Sequence, residues 1–379
     1  MTLRLLLLVG VLALAGCSTT GGGPVEDLPE PPDPSAYKQD VGVSEAWSYS
    51  KLKLPAQGRL ALQAAVAADR VYLAGSDGQV LALDRESGKP VWRVNVERSL
   101  SAGPGVAGNL LVVGSREGQV IALSAEDGSV RWRSELTSEV LAPPRVASGL
   151  VVVRTLDGRV FGLEPAGGKR RWMFEQSVPA LTLRGVSAPV LVPGRLVAVG
   201  LDTGKLVGLD PAEGKQLWET VIGAPRGRSD LERMVDIDAD PVMYRGDIYV
   251  VSYQGQLAAV DPASGRFKWQ RELSAHAGLA VDADRIYVTD AERRIWAFDR
   301  FTGASVWRED SLRGASLTGP AIAGDYLIVG DSEGYLNWLS PQDGSLQRRQ
   351  KIGGAFVATP QVEADGIYLL TEDGLTVLR

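Results

Sequence analysis

Six tryptophans stand at positions 92, 132, 172, 218, 269 and 307 of the 379-residue chain, and their intervals of 40, 40, 46, 51 and 38 residues constrain the fold more than any other feature. A near-constant period of this length marks a repeat architecture. Each tryptophan closes the same unit, as "VYLAGSDGQVLALDRESGKPVW", "LVVGSREGQVIALSAEDGSVRW" and "IYVVSYQGQLAAVDPASGRFKW" show. Short runs of Val, Ile, Leu and Tyr broken by Gly, Asp, Asn and Pro read as strands and tight turns, four strands to a unit. Helical periodicity is absent. A fixed unit ending in a docking aromatic favours radial repetition over a sandwich, so the spacing predicts an all-β propeller. Each tryptophan then packs between neighbouring blades and hides on the order of 200 Å².

The ends of the repeat set the blade number. A seventh copy, "LIVGDSEGYLNWLSPQDGSLQR", carries Gln347 in the tryptophan position, which predicts a weak docking site. An eighth begins at Pro360 and stops at Arg379 after its third strand, while Trp47 in "SEAWSYSKL" has no strands before it to close. Letting the Trp47 strand complete the last blade gives an eight-bladed ring closed by an N-terminal strand, with no open edge. A cut at residue 50 is then expected to unfold the ring.

The stretch "ALDRESGKPVW", with Ala82, Asp84, Gly88 and Trp92, resembles the signature of the pyrroloquinoline-quinone (PQQ) dehydrogenases. That resemblance implies PQQ-like four-stranded repeats. Asp84 and Gly88 also have a sufficient structural task, since Asp opens the turn by bonding its own backbone and Gly accepts positive φ. A quinone site further requires clamping cysteines, calcium-binding carboxylates and an aspartate base, whereas this chain has one cysteine and one histidine, His276. The expectation is therefore no enzyme, no catalytic residue and no cofactor; a periplasmic quinoprotein dehydrogenase is the alternative from another class. His276 reads as a residue of an interblade loop.

Before the repeats, Arg4, an apolar run from Leu5 to Ala13 and "LAGC" form a processing signal. "Leu14-Ala15-Gly16-Cys17" resembles a bacterial lipobox, which implies a signal peptide over 1–16 and an acylated Cys17. Ser18 after it implies sorting to the outer membrane, with the protein facing the periplasm. Residues 17–40, rich in Gly, Pro and acidic groups, read as a tether, and 41–379 as the propeller. A formal net charge of −6 argues against a nucleic-acid surface.

Interruptions of the repeat locate the candidate site. From each tryptophan position to the residue opening the next blade, the ordinary separations are 11 to 13 residues. Trp172 to Pro189 is 17, and Trp218 to Pro241 is 23. Outer-to-inner connections all leave a propeller on one face, so these two enlarged loops are expected to be neighbours. Leu181, Leu183 and Arg184 combine apolar anchors with a guanidinium, the mix of a protein-binding hot spot. Asp236, Asp238 and Asp240 alternate, so an extended segment presents all three on one face, suited to a basic partner or a cation; the sequence lacks the Gly and terminal Glu of a calcium loop. The plainer reading has Leu181 and Leu183 covering the core while Arg184 pairs with Asp236.

The lipobox, the tether, the eight repeats, "LTLRG.SAP" in the first loop, "D.D..P" after the second and "VGDSEGYL" at 329–336 together resemble the BamB family. These are propeller lipoproteins of the outer-membrane β-barrel assembly (BAM) machinery. The resemblance implies a non-catalytic scaffold that binds the periplasmic POTRA domains of BamA and helps outer-membrane proteins insert, with unfolded clients as further candidate partners. The family's partner-binding positions carry over to Leu181, Leu183, Arg184, Asp236 and Asp238. A general envelope propeller that binds other proteins is the remaining alternative.

Overall fold

The computed structural model describes residues 28–54, 60–147, 149–179, 181–183, 186–192 and 194–379. Cys17 and Arg184, both assigned roles above, lie outside the described residues, as does the signal segment.

Eight four-stranded antiparallel sheets form the ring, and in seven of them the four strands follow chain order from centre to rim. The first blade is Ala65–Val66, Arg70–Ala74, Gln79–Asp84 and Pro90–Asn95. Its pattern recurs through the fourth blade, Val190–Val192, Leu196–Gly200, Lys205–Leu209 and Gln216–Val221, and the seventh, Ala321–Ala323, Tyr326–Gly330, Tyr335–Leu339 and Leu346–Lys351. The eighth takes three strands from the C-terminus, Gln361–Glu363, Gly366–Thr371 and Gly374–Leu378, and its outer strand, Glu45–Tyr49, from the N-terminus. The ring therefore closes as the orphaned Trp47 strand requires. Ala61–Leu62 adds a short parallel strand at the centre beside Ala102 and Gly103 of the second blade.

The core lies between blades. Middle strands are covered on both faces by neighbouring sheets, so they read as unbroken apolar runs; Leu110–Ser115 is buried at every position. Leu150, Val152 and Trp172 of the third blade form one cluster with Val197, Val199 and Leu209 of the fourth.

The repeated motif is a set of contacts between successive blades. A bulge in the outer strand sets Trp92 opposite Ala82, and the same shift sets Trp172 opposite Gly162 and Trp218 opposite Gly208, so the small residue before each turn makes room for the indole. Each indole N–H then donates to a turn carbonyl of the next blade: Trp92 to Ala125 at 3.1 Å, Trp132 to Pro165 at 2.8 Å, Trp172 to Pro211 at 3.0 Å and Trp218 to Pro262 at 2.9 Å. Trp269, Trp307 and Trp47 do the same to Arg300, Pro341 and Arg85. Gly214 shows why glycine is needed there. Its φ is +70°, and a Cβ would stand 2.6 Å from the ring of Trp172. The turn aspartates behave as expected, with Asp84 accepting from the Ser87 N–H and Asp261 from the Ser264 N–H, each at 2.8 Å.

Two expectations are corrected. Arg348, not Gln347, occupies the tryptophan position of the seventh blade, because the register pairs it with Trp338 as it pairs Trp92 with Ala82. Gln347 is the bulged residue. The large aromatic has moved one strand inward, and Trp338, 1% exposed, packs with Val41, Phe356 and Leu369. The tether also ends earlier than residue 40, since Lys38 bridges Arg348 and the Gln39 N–H donates to the Gln347 carbonyl at 3.3 Å. Backbone pairing orders what side-chain composition alone does not.

Candidate functional site

The two enlarged connections meet above the fourth blade. The hairpin that joins its second and third strands, residues 200–205, projects between them, and both loops bond to this corner. Backbone Ile237 N–H donates to the Leu201 carbonyl at 3.3 Å, and Tyr253 N–H of the fifth blade to the Asp236 carbonyl at 2.8 Å. From the first loop, Leu183 N–H donates to the Asp236 carboxylate and Ala188 N–H to the Asp240 carboxylate at 2.6 Å. The loops are thus neighbours, tied through aspartate side chains.

Beneath them lies a buried polar cluster. Arg154 of the third blade, 1% exposed, pairs with Asp202 in the hairpin and donates to the Ser187 hydroxyl at 3.2 Å. Asp236 is 1% exposed, and one of its carboxylate oxygens has no hydrogen-bond partner. Burial pushes its pKa up to about 6; the Leu183 N–H and Arg154 oppose the rise, and Asp202 adds to it. Asp238 rises to about 7, from burial first and then from the charges of Asp236 and Asp202. Farther in, Arg145 reaches Asp240 at 2.7 Å.

This geometry revises the picture of a presented acidic row. Asp236 faces the first loop and is covered, Asp240 is engaged by Arg145 and Ala188, and the intervening Ile237 and Ala239 are buried, so alternation does not separate a wet face from a dry one. Asp238, Asp240 and His276 instead line a central depression of about 660 Å³. His276 sits in the connection between the fifth and sixth blades, edge-on to Tyr253 with ring centres 6.1 Å apart. Among the described residues, no group of three or more His, Cys, Asp or Glu is placed to hold a metal ion.

The apolar anchors differ from one another. Leu181 is 43% exposed, while Leu183 is half-buried beside its hydrogen bond to Asp236. A further anchor was not singled out from the sequence. Leu231, 62% exposed, tops a one-turn capping box in the second loop. There Glu232 accepts from the Arg228 and Ser229 N–H groups at 2.7 and 3.2 Å, and its own N–H donates to the Ser229 hydroxyl at 3.3 Å. The signal was present as "Ser-Asp-Leu-Glu", the S-x-x-E pattern. Arg226, Arg228 and Arg233 around it are exposed, which makes this loop basic at its tip.

With this arrangement in view, relatives become informative. Residues 76–309 and 301–379 match the family model described as outer membrane protein assembly factor BamB. The chain belongs to the BamB family. It is similar to the outer membrane protein assembly factor BamB of Alkalilimnicola ehrlichii, 51% identical over 99% of this chain and 96% of that one. The crystal structure of BamB from Moraxella catarrhalis superposes with a TM-score of 0.81 at 30% identity, covering 89% of this chain and 99% of the other. A quinohemoprotein alcohol dehydrogenase from Comamonas testosteroni superposes with a TM-score of 0.68 at 15% identity, covering 89% of this chain and 76% of its own, and shares the fold alone.

Proposed function

We propose that this outer-membrane protein assembly factor is a non-catalytic, lipid-anchored scaffold facing the periplasm, and that it grips the POTRA domains of BamA through its two enlarged connections. Leu181 and Arg184 are the contact residues in this reading. Leu183 and Asp236 act on the partner by holding the first loop against the second, while Asp238 lines the central depression beside them. The observation that carries the proposal is the bond from the Leu183 N–H to the buried Asp236, which fixes one loop on the other. Exposed Leu181 and Leu231 on these loops then supply desolvatable anchors with arginines about them, as hot spots require.

Acylated Cys17 supplies the anchor in this scheme, stable with more than one acyl chain. The Arg184→Glu and Leu231→Asp proteins test the grip by co-purification of BamA from detergent-solubilised envelopes. The expected result is loss of BamA with an unchanged melting curve; full retention of BamA by both variants rejects the loops as the contact.

A further inference from the structure

Residues Pro29–Gln39 run along the outer edge of the seventh blade. The Arg349 N–H donates to the Tyr37 carbonyl at 3.2 Å, and Lys38 and Arg348 form an antiparallel bridge. Ahead of this pairing, Asp33 caps the single 3-10 turn Pro34–Ala36 by accepting from the Ser35 N–H at 2.8 Å. Pro29 and Pro31 lie against Gly314 in the connection between the sixth and seventh blades, where a Cβ would come 2.3 Å from the Pro29 carbonyl oxygen.

One side chain gathers these contacts. Arg349, 3% exposed at its side chain, donates to the Pro32 carbonyl at 2.7 Å and pairs with Asp331 at 3.2 Å and Glu333 at 2.8 Å. It also lies over the Tyr335 ring at 4.3 Å. Asp331, from the "VGDSEGYL" stretch, accepts in addition from the Glu333 and Tyr335 N–H groups, each at 2.9 Å, and from the Asn337 amide at 3.1 Å. That stretch is thereby explained as the seat of a latch.

Position and attachment set this segment apart. It covers the one outer strand that has no tryptophan clasp. None of residues 28–40 is buried, so the hold consists of backbone pairing, one guanidinium, the Gln39 amide donating to the Tyr326 hydroxyl at 3.3 Å and the lie of Pro29 and Pro31 on Gly314. Elements with few buried apolar contacts open at small free energy while the core stays closed. Pro29, Pro31, Pro32 and Pro34 lack an N–H, so the covered edge offers few donors to a foreign strand.

We propose that Pro29–Gln39 is a releasable strap, latched by Arg349, which seals the seventh blade when docked and lengthens the leash of the ring when lifted. The leash consequence rests on the reading of Cys17 as acylated. From Cys17 to Leu28 the chain spans at most about 40 Å, and from Cys17 to Val41 about 85 Å, at roughly 3.6 Å per residue. Lifting the strap therefore doubles the distance the ring can stand from its anchor.

Hydrogen–deuterium exchange on the full mature chain tests the strap. The amides of Gln39 and Arg349 are expected to exchange at least tenfold faster than those of Leu327, Ile328 and Val329 in the same blade. Arg349→Gln should speed both further. A second variant replaces residues 29–36 by a Gly/Ser segment of equal length and leaves the Arg349–Asp331 pair intact; it should deprotect residues 347–351 with the melting temperature of the ring unchanged. Strap amides as protected as the blade core, or a ring that unfolds when the strap is replaced, overturns the proposal. Mass spectrometry of Cys17 reads the anchor separately, so an unmodified Cys17 removes the leash consequence and leaves the exchange result standing.

Discussion

The two ends of the fourth blade are joined to the third by opposite chemistry. At one end Trp172 packs on Gly214 and donates to the Pro211 carbonyl, an apolar joint repeated round the ring with the same residue types. At the other, Arg154 and Ser187 meet Asp202 in a buried polar joint found once. Burying a large indole is favourable by itself. Burying carboxylates is not, and the second joint persists because Arg154 and the loop amides offset part of the desolvation. Stability thus comes from the periodic joint, and the single-copy joint shapes the surface above it.

Removing the closing strand deletes the Trp47 joint and opens the ring, and has the largest expected effect. A chain lacking residues 1–50 loses Trp47 and exposes the edge of Gly374–Leu378, which pairs with Glu45–Tyr49 in the intact ring. The expected outcome is loss of the cooperative thermal transition and of near-ultraviolet circular dichroism. A sharp transition in the truncated chain would show that the joints hold without closure.

Next in size is a single joint. Trp172 is nearly buried, and Trp172→Ala should cost about 3–5 kcal/mol in equilibrium denaturation. The loss should be the same at pH 4.5 and 7.5, since no titrating group takes part. A loss under about 1 kcal/mol would mean that adjacent blades collapse onto the cavity.

This contrast also explains how far the sequence could be read. The periodic joint was legible because its parts recur at fixed offsets, Ala82, Asp84, Gly88 and Trp92 each having counterparts in later units. Blade number and closure followed from the same count. In the seventh unit the expectation of Gln347 is off by one, because the offset of four that separates Gly88 from Trp92 leads from Gly344 to Arg348, and the strand register agrees. The polar joint was illegible because its parts come from four stretches, near residues 154, 183–188, 202 and 236–240, with no shared period. Loop length did reveal where to look. It could not say that Asp236 turns inward or that Leu231 turns outward, since both depend on which hydrogen bonds the second loop makes.

The smallest expected effect isolates the polar joint through its pH dependence. An unfolded aspartate titrates near 3.9, whereas Asp236 and Asp238 are pushed up to about 6 and about 7, facing each other, Asp202 and Arg154. Between about pH 4 and 7 the folded chain therefore binds more protons than the unfolded one. Their contribution falls as pH rises through that window and levels off above it. Asp236→Asn keeps an acceptor for the Leu183 N–H and removes the charge, so stability at pH 7.5 should rise by about 1–3 kcal/mol while that at pH 4 stays near the parent value. Asp236→Ala removes the acceptor as well and leaves the Leu183 N–H unpaired, which offsets that gain. Denaturant titrations of the three proteins at pH 4, 5.5 and 7.5 measure both effects. Equal slopes in the parent and Asp236→Asn would mean that Asp236 is ionised without penalty, and that the corner under the two loops is wetter than its burial implies.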